Sequence, residues 1–412
     1  MPQFDTGNTG FMLLATSLVM LMTPGLAFFY GGLVGRKNVL AIMMQSFVSM
    51  GVTTILWWAV GYSLCFSGDV YGVIGNLDMA FLRGIDLNTA YPGTAKIPLF
   101  VFCAYQMMFA IITPALITGA FTNRVRFPAY LIFLVAWLLF VYFPFTHMVW
   151  GGGLLQKWGV LDFAGGIVVH ATAGAAALAS VFYVGRRKVA DPGFHSVPLV
   201  ALGTGLLWFG WYGFNAGSEL AVDAVTGQAF LNTDIAASFA GPIWMFLAWR
   251  FEKKPKFTGL LTGAVAGLAT VTPCAGYVTA NTAVLIGCVS SVVCYSAVYL
   301  KNKMKWDDAL DVWGVHGVGG VLGTILLGVF ASKAVNPGGA DGLLAGNTAF
   351  FLKQAVAVLA ASAWAFAFTY GGLWLINKVT RVVVTEEDEK VGLDPVLHGE
   401  NAYDNDLGHA TV

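Results

Sequence analysis

Apolar runs of about 20 residues, the length an α-helix needs to cross a bilayer, recur eleven times in this 412-residue chain. They lie near 10–34, 39–64, 98–121, 127–147, 162–184, 197–217, 230–250, 258–278, 280–300, 309–330 and 348–377. Hydrocarbon offers no water to backbone N–H and C=O groups, so runs of this kind fold as helices that close their hydrogen bonds internally. Composition points the same way: 57% of residues are hydrophobic and 11% charged, against roughly 25% charged in a soluble domain. The expected class is an all-α, multi-pass membrane protein. With a formal net charge of zero and no basic arm or stripe, nucleic acid is not an expected partner. Five cysteines (Cys65, Cys103, Cys274, Cys288, Cys294), mostly inside apolar segments and without CxxC spacing, read as packing residues rather than a disulfide framework or zinc site.

Orientation follows from the basic residues of the connecting loops. Each odd-numbered span is followed by a basic cluster: Arg36-Lys37, Arg124/Arg126, Arg186-Arg187-Lys188, Arg250/Lys253/Lys254/Lys256, Lys301/Lys303/Lys305 and Lys378/Arg381. With Lys390 these hold 17 of the 22 Lys and Arg, leaving Arg83, Lys96, Lys157, Lys333 and Lys353 on the other side. The N-terminus is therefore expected outside and the C-terminus inside. The opening MPQFDTGNTG lacks the basic region and short apolar core of a secretory signal, so no cleaved peptide is expected.

Two histidines sit inside these apolar segments, each eight residues after an aspartate: Asp162-FAGGIVV-His170 and Asp308-ALDVWGV-His316. A titratable ring in hydrocarbon is costly to place and marks a cavity, a partner or an ion pathway. The two segments fall in the fifth and tenth spans, so five spans make each half and the halves run oppositely. TPGLAFFYGG in span one and WFGWYGFNAGS in span six are further echoes. An inverted repeat of spans 1–5 and 6–10, with span 11 added, is the expectation, and such repeats carry the pathway at their interface. Eight residues put each ring about 12 Å deep from opposite faces, which in a core of about 30 Å leaves some 6 Å between them along the normal. Gly165, Gly166 and Gly174 flank His170, and Gly314, Gly317, Gly319, Gly320 and Gly323 flank His316; small residues let membrane helices touch. The competing reading is a pair of buried rings that only bond neighbouring helices. Asp162 reads first as an N-cap at the outer start of span five, with Asp308 and Asp311 in the corresponding place inside. His147 reads as a cap of span four, His195 as an inner-loop residue, and His398 and His409 as tail residues.

The segments FFYGGLVGRKNVL (28–40), QMMFAIITPALI (106–117), HMVWGGGLL (147–155), DFAGGIVVHATAG (162–174), WFGWYGFNAGS (208–218), DVWGVHGVGG (311–320) and GLDPVLHGENAY (392–403) together resemble the ammonium transporters, the Amt branch of the Amt/Mep/Rh family, from the first span through the tail. The resemblance implies a non-enzymatic homotrimer in the inner (plasma) membrane, without cofactor, each subunit holding its own pore for ammonium or ammonia. Residues 1–381 would form the transmembrane domain. By match to the family motifs, Phe109, Trp150 and Ser218 form an outer cation site, Phe109 and Phe214 stack as a gate, His170 and His316 line the pore beyond, and Asp162 supports the vestibule. The chemistry suits ammonium: aromatic faces attract its charge and a serine hydroxyl accepts one of its N–H groups. Without the motifs, each of these aromatics reads as lipid-facing or core. The polar tail 382–412, which opens on the acidic run 386–389, reads from composition alone as a solvated segment. By resemblance it is a cytoplasmic dock for a PII (GlnK-type) signalling protein. Loop 65–96 is expected to form an ordered cap. Alternatives are an ammonium sensor with little conduction, a haem-binding electron-transfer protein using the histidine pair, and a Rh-like conductor of other small gases.

Overall fold

A computed structural model describes residues 4–93, 96–190 and 193–403; His409, the rest of the tail beyond Tyr403, and the opening three residues lie outside the described residues. The chain is all-helical: among the described residues the only extended pairings are isolated bridges, such as Val125 with Val383. The helices are α1 (Thr6–Leu33), α2 (Arg36–Phe66), α3 (Leu99–Phe121), α4 (127–150), α5 (Gly166–Val184), α6 (Val197–Ala216), α7 (Ala224–Glu252), α8 (Phe257–Val271), α9 (Ala280–Lys303), α10 (Trp313–Phe330), α11 (Thr348–Val379) and the short α12 (Glu386–Val391).

Nine of the segments are long and apolar enough to cross a membrane. The two that fall short are those expected as spans seven and eight. Over its 29 residues α7 carries Gln228, Asn232, Thr233 and Asp234. α8 has 15 residues, about 22 Å, and gives way to tight turns through Thr272–Tyr277 around Pro273.

Helix starts follow local chemistry. Asp5, Ser196, Thr279 and Asn347 each accept a backbone N–H at an N-terminus, and Asp223 makes a capping box with Thr226, which satisfies donors that have no partner inside the helix. Span five starts on a glycine. Its helix begins at Gly166, after Gly165 at φ +119°, a left-handed conformation that glycine adopts without a Cβ penalty.

α1 packs along α6, α7 lies against α8 and α9, and α11 covers α5. α5 and α10 cross where Gly174 meets Gly317: a Cβ on Gly174 would lie 2.0 Å from the Gly317 Cα. That approach decides how near the two histidines come. On the outward surface Phe47, Ile55, Trp58, Phe140, Phe230, Trp249 and Trp374 are exposed, as lipid contact requires.

The tail folds back on the face opposite the N-terminus. Val384 and Leu393 bury against Ala41, and the Asp394 carboxylate accepts the N–H groups of Leu40 (3.0 Å) and Ala41 (2.8 Å). Glu389 accepts those of Lys188 (2.7 Å) and Val189 (2.9 Å). His195 bridges the Val34 carbonyl and the Tyr403 hydroxyl, each at 2.9 Å, and Arg36 covers the Tyr403 ring. Composition suggested solvation because charges dominate the segment; the structure seats its few apolar side chains and turns its carboxylates onto loop amides.

Candidate functional site

Both histidines lie on π-helical turns, His170 in Gly166–Ala171 and His316 in Trp313–Gly317. Such turns widen the backbone and cluster at functional positions. Above His170, the buried Asp162 carboxylate takes four backbone N–H groups. Oδ1 accepts from Gly165 (2.8 Å) and Gly166 (2.7 Å), and Oδ2 from Ile167 (2.8 Å) and Val168 (3.2 Å). One side chain thus satisfies the start of α5. Asp308 does the same for α10 with fewer bonds, to Val312 N (3.1 Å) and Trp313 N (2.8 Å). Asp311 instead pairs with Lys301 at 2.6 Å.

The Nδ1 atoms of His170 and His316 face each other at 3.3 Å. Ring planes differ by 16° with centroids 5.3 Å apart, so the rings meet edge to edge. One Nδ1 must donate and the other accept, and a single proton occupies the contact. His170 Nε2 has no hydrogen-bond partner among the described residues. Trp211 flanks His170 at 5.5 Å between centroids. Beside the pair, Met22, Leu26, Phe29, Ile112, Leu116 and Phe214 help to line an apolar cavity of about 10 Å³, room for roughly one water-sized molecule.

Phe109 and Phe214 close this cavity on the N-terminal face, stacked with centroids 4.2 Å apart and planes at 25°. Both rings are buried. Beyond them a vestibule of about 300 Å³ is lined by Gln106, Phe109, Trp150, Asp162, Ser218 and Glu219, among others. Trp150 packs edge-on to Phe109 at 5.9 Å, and its indole N–H donates to the Asp162 carbonyl (2.8 Å). The Ser218 hydroxyl donates to the Phe214 carbonyl (2.8 Å), which leaves its oxygen lone pairs to accept. On the other face a cavity of about 720 Å³ reaches His316 past Phe29, Leu310 and Val315.

Every site residue expected from the sequence falls on this one line: Ser218 and Trp150 in the vestibule, Phe109 and Phe214 in the constriction, His170 and His316 below it, and Asp162 as the amide-binding carboxylate beside Trp150. His147 is buried near the end of α4, and His398 packs on Phe127. Sequence reasoning passed over Tyr105, Trp211 and Glu219. The Tyr105 hydroxyl reaches the Gly213 and Phe214 carbonyls at 2.9 Å and the Ser218 hydroxyl at 3.2 Å. Its position four residues before Phe109, and that of Trp211 three before Phe214, put each on the same helix face as a named residue; that spacing was the available signal.

Comparison with known proteins identifies the family of the chain. The pattern of the Ammonium Transporter Family matches residues 10–403. The ammonium transporter of Bacillus subtilis (strain 168) is 43% identical over 407 residues, covering 97% of this chain and 99% of its own. Among solved structures, Saccharomyces cerevisiae Mep2 superposes with a TM-score of 0.87 at 34% identity, covering 93% of this chain and 89% of Mep2. A protein described as a Sensor Amt Protein reaches 0.86 at 31% identity, covering 95% and 98%.

Proposed function

The chain belongs to the ammonium transporter family, and we propose that it recruits ammonium in the vestibule, deprotonates it, and passes ammonia through the histidine-lined cavity with the proton relayed separately. The observation that carries this reading is the order of the parts: a polar, aromatic vestibule, a closed phenyl stack, then a hydrogen-bonded imidazole pair beside a one-molecule apolar cavity. Trp150 and Phe109 offer ring faces to a cation, and Ser218 offers an oxygen to one N–H. Potassium is similar in size but has no hydrogen to give. Desolvation past two phenyl rings opposes any intact hydrated ion, whereas neutral ammonia fits. His170 Nε2, unpartnered and beside the cavity, is the group that can exchange a proton with it.

The same reading takes residues 1–381 as the membrane domain, with eleven spans, the N-terminus outside, and an inverted repeat. Two pairings support it: α1 lies on α6 and α5 crosses α10, each joining equivalent members of the two halves. It also takes the protein as a homotrimer in the inner membrane. Asp234, half-exposed about 15 Å along α7, receives Trp208 Nε1 (3.2 Å) and Tyr212 OH (2.7 Å) on one oxygen; an acid at that depth is costly against lipid, which favours a second subunit over that face. The tail 382–412, whose described part packs on the inner loops, is the dock for a PII-type protein. The two imidazoles meet directly, Nδ1 to Nδ1 at 3.3 Å, which leaves no place for an iron between them and speaks against the haem reading. The likeness to a Sensor Amt Protein keeps sensing as the second reading.

Current recording from reconstituted protein under ammonium pulses separates the two. Saturable inward positive current, lost or made leaky to potassium when His170 and His316 are both replaced by apolar residues, is the expected result. Silent membranes containing folded protein would leave sensing or gas conduction.

A further inference from the structure

His147 is fully buried near the C-terminal end of α4, three residues before Trp150. Its Nδ1 lies 2.9 Å from the Cys65 carbonyl oxygen and its Nε2 3.3 Å from Asp69 Oδ1. A carbonyl oxygen only accepts, and so does an ionised carboxylate, whereas a neutral imidazole has one donor and one acceptor nitrogen. Both contacts are satisfied together only if both ring nitrogens carry hydrogen. The alternative, a proton on Asp69, runs against its surroundings: Lys157 bonds Oδ2, the Gly72 N–H donates to Oδ1 at 2.6 Å, and hydrogen bonds from Lys157 and His147 bring its carboxyl down to about 2.

The groups that face the ring are few. Asp69 comes from the loop after α2 and Cys65 from the end of that helix; Lys157, on the short helix Leu154–Trp158, reaches Asp69 from the other side. The Cys65 thiol is turned away, toward the Phe143 carbonyl. These contacts clamp the glycine turn that follows Trp150. Gly151 and Gly153 donate to the His147 carbonyl at 3.0 Å, and Leu154 donates to the Gly72 carbonyl at 2.7 Å. The packing leaves no slack, because a Cβ on Gly151 would sit 2.0 Å from the Cys65 oxygen and one on Gly153 would sit 2.6 Å from the Gly72 oxygen. Any shift of the Asp69 loop is therefore transmitted to the turn that carries Trp150, whose indole faces the vestibule and bonds the Asp162 carbonyl.

We propose that His147, held as an imidazolium between Cys65 and Asp69, is a positioning residue that seats Trp150 at the substrate site, so that affinity for the cation depends on the protonation of a ring that substrate never touches. The proposal rests on the transport reading above for the identity of the substrate, but not for the protonation state. The sign follows from the geometry. A ring with both N–H groups keeps both bonds, whereas a ring with one N–H turns a lone pair against either the Asp69 carboxylate or the Cys65 carbonyl, which loosens the turn and weakens binding.

The test compares the wild type, Asp69→Asn and Lys157→Gln across pH. It uses ¹⁵N-histidine NMR for the ring and the half-saturation for methylammonium, corrected for its own ionisation, for the site. The wild-type ring should carry both hydrogens at neutral pH, and half-saturation should rise about tenfold once it deprotonates, the factor one hydrogen bond to a charged group is worth. An asparagine can donate to a neutral ring or accept from a charged one, so Asp69→Asn should flatten the pH dependence of half-saturation while maximal flux keeps its profile. Lys157→Gln should preserve the dependence. A neutral His147 at neutral pH, or equal pH profiles for wild type and Asp69→Asn, would overturn the proposal. Should the protein prove to be a sensor, NMR and equilibrium methylammonium binding separate the same outcomes without flux.

Discussion

Replacing Asp162 by asparagine removes one oxygen from a carboxylate that accepts four backbone N–H groups, two on each oxygen. The remaining carbonyl oxygen can keep at most two of them. The new NH₂ group turns its hydrogens toward the other two donors, which are buried. A stranded buried donor costs about 1–3 kcal/mol, and loss of a negative charge at a helix N-terminus about 0.3–2 kcal/mol. The sum centres near 4–5 kcal/mol, a large part of the roughly 5–15 kcal/mol that holds a domain together. Asp308→Asn provides the internal control. Its oxygens hold one helix-start amide each, so one donor is stranded and the loss should be about half. Equilibrium unfolding in detergent should therefore rank the wild type above Asp308→Asn and Asp308→Asn above Asp162→Asn. The same substitution should raise half-saturation, because the Asp162 carbonyl also anchors the Trp150 indole. An Asp162→Asn protein that unfolds at the wild-type midpoint, or is no weaker than Asp308→Asn, would refute the view that carboxylate bonding to the helix start fixes the position of His170.

Deleting residues 386–412 should leave assembly intact and abolish retention of a PII-type protein in a pull-down; equal retention would place the docking determinant in the inner loops. Asp307 joins the buried Arg124 (3.6 Å) and Arg187 (2.6 Å); burial works against its charge, but the two guanidiniums hold the carboxyl below the usual carboxylate range. A depressed value means stability that is complete above about pH 4 and lost only as pH falls through the folded value. Hydrogen exchange at Arg187, whose amide donates to Asp307 Oδ2 (2.8 Å), should be slow at neutral pH in the wild type and faster in Asp307→Asn.

Much of the membrane architecture was legible because hydrocarbon imposes it locally. A helix that must satisfy its own backbone shows as an apolar run, and its start shows as a capping residue; hence α1, α6, α9 and α11 lie within a few residues of where their runs begin and end. The apolar runs of spans seven and eight were visible too, but the continuous helix α7 carries the polar Asn232, Thr233 and Asp234, and α8 ends early at the turn around Pro273. Those features depend on what each helix packs against. Local spacing also placed an aspartate eight residues before each histidine, and depth arithmetic brought the rings to opposing halves of one bilayer. Tertiary structure alone decided the rest. The glycine crossing of Gly174 with Gly317 set the 3.3 Å imidazole contact, π-turns aimed the rings, and Tyr105 joined Ser218 from a helix 113 residues away in sequence. The amino-acid order constrains each helix through its own solvent, whereas a shared proton or a stacked phenyl gate depends on distances between helices. Those distances are fixed by side chains that become neighbours only once the bundle has closed.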